Sequence, residues 1–341
     1  MKREDFDKIN NFFNYLALFL FESKDIDDYY YQFIILNDNF FEFFLKRYLK
    51  DGRYFQEIDH NNLSYQDVLN ISRDIIKSIN EDYLLQFDNL LNSGILDFSY
   101  DKEYIDSEVV HIRYKDGTFK RYININRKFN YDDVSTFIHE FMHYVSGIVY
   151  KIRNMIITEF ISIYFELYAN EYIFNNYSQN IKEIEYNKRL ASCFERSKII
   201  RNTEIPLFIF SRLGNLNEGS YKYVNDFFPK YNYEDYKYEC EKTLNIINKE
   251  DGNGEKLYIY ECHYYLIATF LAFYCRNNNN NICNILNLAS NTNNKENDDL
   301  DLLNLLEKYN ININSDIFKT IFDAMSDYLD IFEKEKARIL N

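Results

Sequence analysis

His139 and His143 stand four residues apart, with Glu140 directly after the first, in the run Phe137-Ile138-His139-Glu140-Phe141-Met142-His143. On a helix this spacing puts both imidazoles on one face, where they can reach the same ion. The pattern is HExxH, in which two His bind zinc and the intervening Glu polarises the zinc-bound water and moves its proton. Glu140 is then the general base. With only five His among 341 residues, chance would place this pattern in such a chain on the order of once in a few hundred sequences. The bland competitor is a helix carrying two hydrogen-bonded His and no metal.

Catalytic zinc takes three protein ligands and keeps one position for water, so a third donor must come from another element. Residues 155–171, Met-Ile-Ile-Thr-Glu-Phe-Ile-Ser-Ile-Tyr-Phe-Glu-Leu-Tyr-Ala-Asn-Glu, are apolar nearly all round, which marks a buried helix. Glu159, Ser162 and Glu166 nevertheless align at i, i+3 and i+7 in one polar stripe. Buried carboxylates are costly without a metal or a partner. Glu159 reads as the third ligand and Glu166 as a carboxylate that fixes a His tautomer. A carboxylate pair facing a solvated groove is the metal-free alternative.

Asp132 and Asp133 mark the start of the His-bearing helix, and Gly147 is read as lying just past its end. Ile138, Phe141, Met142 and Val145 form its core-facing stripe. Upstream, Val109, Val110, Ile112 and Tyr114 lead into Lys115-Asp116-Gly117-Thr118, and Phe119, Tyr122, Ile123 and Ile125 follow. Asp-Gly between two β-prone runs predicts a hairpin. From Asp5 to about Ser93 the apolar residues recur at helical spacing, as at Ile75, Ile76, Ile79, Leu84 and Leu85. The stretch Phe12 to Phe21 reads as a buried helix, not as a signal peptide or a membrane span. Low-complexity Asn-rich stretches, 277–281 and 291–299, flank a short helix.

The run Asp133 to His143 resembles the thimet oligopeptidase and oligoendopeptidase F family of zinc metallopeptidases, whose core is HExGH followed by a helix with ExxS. Glu159-Phe160-Ile161-Ser162 matches the second motif, Glu166 falls where the family repeats a Glu, and Ile123-Asn124-Ile125-Asn126 is similar to the strand ahead of the active helix. The resemblance covers about residues 120 to 175. It implies that His139, His143 and Glu159 are ligands to one Zn2+ and that Glu140 is the base. Met142 stands where the family has Gly, and the link from His143 to Glu159 is shorter than is usual there, so Glu166 as the ligand is the other register. The family takes its oxyanion donors from a C-terminal Tyr-rich helix. Ala268-Thr269 resembles the small pair after that Tyr cluster, which implies Tyr265 as donor with His263 beside it; Tyr258, Tyr260 and Tyr264 are the alternatives. His60 and His111 are assigned no role.

The implied architecture is mainly α with a small β-hairpin sheet, of gluzincin-like type: an N-terminal helical region over residues 1–105, then a catalytic region over 106–341 holding the hairpin, the zinc helices and the Tyr-rich helices. The implied activity is zinc-dependent hydrolysis of peptide bonds, with short peptides as substrates by resemblance alone. A net charge of -15 repels phosphate backbones and excludes nucleic acid as a partner. Five Cys, an odd number without CxxC spacing, fit a reduced cytoplasmic chain. The competing functions are a metallopeptidase of another HExxH-plus-Glu family, a non-catalytic peptide-binding protein that kept these helices, and a purely structural helical protein.

Overall fold

A computed structural model describes residues 62–99, 107–113, 119–149, 154–177, 192–198, 233–248, 254–277, 282–291 and 302–311, with isolated positions between them. The expected helix at Phe12 to Phe21, His60, the Asp-Gly turn and, beyond Asn277 and Asn291, the Asn-rich stretches lie outside the described residues. Helix α1 (Tyr65–Ile79) starts on a reciprocal cap, in which the Ser64 hydroxyl accepts from the Asp67 N–H and the Asp67 carboxylate accepts from the Ser64 N–H. Helix α2 (Glu81–Asn92) follows after a single residue, Asn80, whose side chain accepts from the Asp82 N–H. Ile75, Ile76 and Ile79 are buried as their spacing predicts, whereas Leu85 is 63% exposed. It lies on the α2 face turned away from buried Phe87 and Leu90, so the helical period there was read one position too wide.

Strand β2 (Glu108–Arg113) pairs antiparallel with β3 (Phe119–Asn126), in a register that sets Arg113 opposite Phe119. The predicted hairpin is therefore present. A third strand, β1 (Leu96–Ser99), pairs in parallel with the other side of β3, giving the order β1-β3-β2. This strand carries no signal in the sequence: its four residues are too few to show alternation.

Helix α3 (Asp132–His143) follows β3 after a tight turn held by its own first residues. The Asp133 carboxylate accepts from the backbone N–H groups of Lys128 and Phe129, at 2.6 and 3.0 Å, and from Arg127 Nε at 3.4 Å. Phe129 has φ 60, a left-handed conformation that these bonds stabilise. The buried stripe of α3 does not stop at His143. Val145 is buried, and the chain continues as a wide π turn, Tyr144–Val149, that contains Gly147. Gly147 thus lies within the extended helix and not past its end, because continued burial outweighs the roughly 1 kcal/mol that glycine costs in a helix.

Helix α4 (Met155–Asn176) is capped by Asn154, which accepts from the Ile157 N–H at 3.2 Å. It packs between α3 and α6 (Gly254–Asn277). Neighbours on both sides explain why its sequence is apolar nearly all round. Helix α5 (Tyr233–Asn248) precedes α6, and α7 (Ile282–Asn291) and α8 (Leu302–Lys308) follow it. The described part of the chain is thus mainly helical with one small sheet. No helix among the described residues is long and apolar enough to cross a membrane. Cys193, Cys262 and Cys275 are buried and Cys283 is exposed.

Phe137 and Phe141 anchor one face of α3. The Phe137 ring meets Phe87 of α2 at 5.8 Å and Phe98 of β1 at 5.5 Å, and Phe141 meets Tyr83 at 6.4 Å. His139 and His143 lie two residues further along, roughly 200° round the same helix. Aromatic packing on one side therefore aims the imidazoles at α4 on the other. Phe137→Ala is expected to lower unfolding free energy by about 3–5 kcal/mol, and Leu85→Ala by less than about 0.5 kcal/mol. Urea denaturation curves of the two variants against the parent chain measure both.

Candidate metal centre

The Nε2 atoms of His139 and His143 approach to 3.1 Å, their rings 4.8 Å apart at an angle of 74°. Glu159 reaches across from the second turn of α4, with Oε1 3.2 Å from His143 Nε2 and Oε2 3.7 Å from His139 Nε2. Donor atoms of the three residues lie within 4.8 Å of one another. A tetrahedral ion with bonds of about 2.05 Å has ligand-to-ligand separations of roughly 3.3 Å. The observed separations bracket that value, and the donor set of two imidazoles and one carboxylate suits zinc.

Glu166 plays a different part from Glu159. One of its oxygens lies 2.7 Å from Nδ1 of His139, on the far side of the ring from the Nε2 group. A carboxylate only accepts, so the proton sits on Nδ1 and the Nε2 lone pair is left facing His143 and Glu159. Glu166 is seven residues beyond Glu159, two turns along α4, and so meets the opposite edge of the same imidazole. Ser162, between them on the stripe, is fully buried.

Glu140 is buried beside both His and is charge-coupled to them. Burial pushes its carboxyl above the ordinary range, the Glu159 and Glu166 charges add to this, and the two imidazoles pull in the opposite direction. For His143, burial alone lowers the imidazole. The Glu159 carboxylate in contact with it, aided by Glu140 and Glu166, more than reverses this and pushes it up to about 9.

The Tyr-rich helix α6 brings Tyr264 and Tyr265 toward this centre. Burial raises both phenols, and the Glu159 charge raises both further, with Glu140 also acting on Tyr265. Their rings stack at 5.3 Å. His263 is fully buried on the same helix, roughly 200° round from Tyr265; the two therefore face different sides of α6. The side chains of Tyr258, Tyr260 and His111 lie outside the described residues.

Two arginines went unnoticed in the sequence. Arg276 closes α6 onto α4 by gripping both oxygens of Glu171, its Nε 3.3 Å from Oε1, and it lies over the Tyr164 and Tyr168 rings at 5.2 and 5.4 Å. A single cation ending the apolar run Leu266 to Cys275 was the available signal, since a buried charge needs a partner. Arg196 lies over the Tyr265 ring at 4.4 Å, and nothing in its local sequence marks it.

The raised His143 sets a pH dependence. Its folded-state value lies above the ordinary 6.5, so its contribution to the stability of the metal-free chain is complete below pH 6.5 and is lost as pH rises through 9. At pH 7.5 the metal-free centre therefore holds a proton that a cation must displace. Zinc titration at that pH is expected to release about one proton, and none at pH 10.5. Calorimetry in buffers of different ionisation enthalpy measures the release; none at pH 7.5 would contradict this electrostatic reading.

No protein-family model matches the chain, and no curated protein matches it in sequence. Among solved structures, its fold is similar to that of a protein provisionally assigned as oligoendopeptidase F from Bacillus anthracis str. Ames, with a TM-score of 0.53 and 14% identity, over 88% of this chain and 57% of that one. It is also similar to PZ peptidase A, solved with an inhibitor, with a TM-score of 0.53 and 10% identity, over 95% of this chain and 58% of that one. The chain thus spans a little more than half the length of either. At these identities the likeness is one of fold, and the fold shared is a mainly helical one with a small sheet.

Proposed function

We propose that the chain is a zinc-dependent peptidase that hydrolyses short peptides. The observation that carries this reading is the approach of His139 Nε2, His143 Nε2 and the Glu159 carboxylate to 3.1–3.7 Å of one another, with Glu140 buried beside them. The fold likeness to two proteins named as peptidases points the same way. Residues of this chain alone would hold the ion: His139, His143 and Glu159 as ligands, and Glu166 orienting His139. Zinc, when bound, supplies Lewis acidity toward a carbonyl and acidifies water.

Glu140 takes the proton from the water that attacks the scissile carbonyl and then hands it to the leaving amine. A carboxyl raised by burial is suited to both transfers, because a catalytic group works best with its pKa near the operating pH. Tyr265 donates a hydrogen bond to the oxyanion as charge develops there, its phenol kept protonated by burial and by the nearby carboxylates. Among the described residues strand β2 is an edge of the sheet, and an extended peptide can add to it by main-chain pairing.

Purified protein is expected to bind one zinc ion by elemental analysis and to cleave a quenched peptide library. Chelation should abolish the activity and added zinc restore it. Glu140→Gln should keep its zinc and lose about 10²- to 10⁴-fold in kcat. Glu159→Ala should lose zinc affinity outright, and Glu166→Ala by about 10- to 100-fold. A folded preparation that takes up no zinc, or a Glu140→Gln variant with the parental rate, would overturn the proposal.

A further inference from the structure

Glu261 and Tyr265 sit four residues apart on α6 and share a face of that helix. Across this face lies the guanidinium of Arg196, from the helical segment 192–198. It is 4.4 Å from the centroid of the Tyr265 ring, and its Nη2 is 3.7 Å from Glu261 Oε1. Nη1 is held from behind by the hydroxyl of Ser192 and lies 3.4 Å from the Ser192 carbonyl oxygen. The Tyr265 ring thus meets both the Tyr264 ring and a cation that is itself held by Ser192 and Glu261.

We propose that Arg196 is a positioning residue for Tyr265: its guanidinium, anchored on Ser192 and Glu261, holds the phenol ring in the orientation from which the hydroxyl serves the oxyanion. The inference rests on the reading of Tyr265 as the donor. A phenol on a helix has two free side-chain torsions, and a donor that must meet a charge developing in one place works only if those torsions are set beforehand. A planar cation against the ring face restricts them in a way that an aliphatic neighbour does not, because the attraction is to the face itself. The positive charge acts in a second way. It offsets part of the rise that burial, Glu159 and Glu140 impose on the phenol, and so makes the hydroxyl a stronger donor than the same group without the cation. In a chain of net charge -15, a cation held against a phenol on which both Glu140 and Glu159 act serves this purpose better than it serves surface balance.

The test uses Arg196→Met and Arg196→Lys, each made in the parent chain and in a Tyr265→Phe chain. In the zinc-loaded parent, Arg196→Met should lower kcat about 10-fold, with KM and zinc content unchanged. Arg196→Lys, which keeps the charge and loses the planar stack, should fall between. In the Tyr265→Phe chain, Arg196→Met should have no further effect, because the group it positions is gone. A second readout needs no activity: 3-fluorotyrosine placed at position 265 of the metal-free chain should give a fluorine resonance that moves and broadens on Arg196→Met. Equal losses of kcat in both backgrounds, or an unmoved fluorine resonance, would overturn the inference. If Arg196→Met fails to fold, Arg196→Lys carries the same comparison. If the parent has no zinc-dependent peptidase activity, the proposed function fails on its own, and the fluorine resonance still decides whether Arg196 holds Tyr265.

Discussion

Three groups on two helices, two imidazoles and a carboxylate, converge to within 4.8 Å of one another, and the neighbouring described elements hold them there. Two Nε2 atoms at 3.1 Å with their lone pairs turned toward each other repel unless a proton or a metal ion lies between them. Each neighbouring element deals with one consequence. The aromatic cluster of Phe87, Phe98, Phe137 and Phe141 fixes the rotation of α3 about its own axis. The Asp133 bonds to the Lys128 and Phe129 N–H groups fix where that helix begins. The cap at Asn154 and the Arg276–Glu171 pair hold α4 at its two ends, and Glu159 lies between them.

Burying Glu140, Glu159 and Glu166 together is unfavourable on its own. The metal-free chain offsets it partly by protonation, which is why His143 is pushed up to about 9 and Glu140 is raised. A divalent cation would offset it more fully, leaving Glu140 as the carboxylate with a proton to gain or lose. In the proposed reading, metal affinity and the basicity of Glu140 share one arrangement: burial raises the Glu140 carboxyl, and the Glu159 and Glu166 charges that would attract an ion raise it further. Glu166 contributes to both, through the His139 tautomer and through its charge.

Much of this was legible because helices write their contacts into short sequence intervals. HExxH needs only one turn, and the polar stripe of Glu159, Ser162 and Glu166 stands out in a helix otherwise apolar on every side. The hairpin was legible through Asp-Gly and its flanking β-prone runs. What stayed hidden depends on pairing across long intervals. Strand β1 has four residues and a partner more than twenty positions away. Arg196 meets Tyr265 across 69 positions, from a segment with no motif of its own. Gly147 misled for a different reason: glycine signals a helix end only when the residues beyond it have nothing to bury, and here the buried face of α3 runs on to Val145 and Ser146. His263 lies two positions from Tyr265, which turns the two side chains to different sides of α6.

Crystallography of the zinc-loaded protein, with anomalous data collected on both sides of the zinc edge, tests whether one zinc ion sits between α3 and α4. The account predicts a single anomalous peak about 2.0–2.2 Å from His139 Nε2, His143 Nε2 and a Glu159 oxygen, with Glu166 still on His139 Nδ1. A peak ligated by Glu166 in place of Glu159, a peak elsewhere in the molecule, or none in crystals grown with zinc would contradict it.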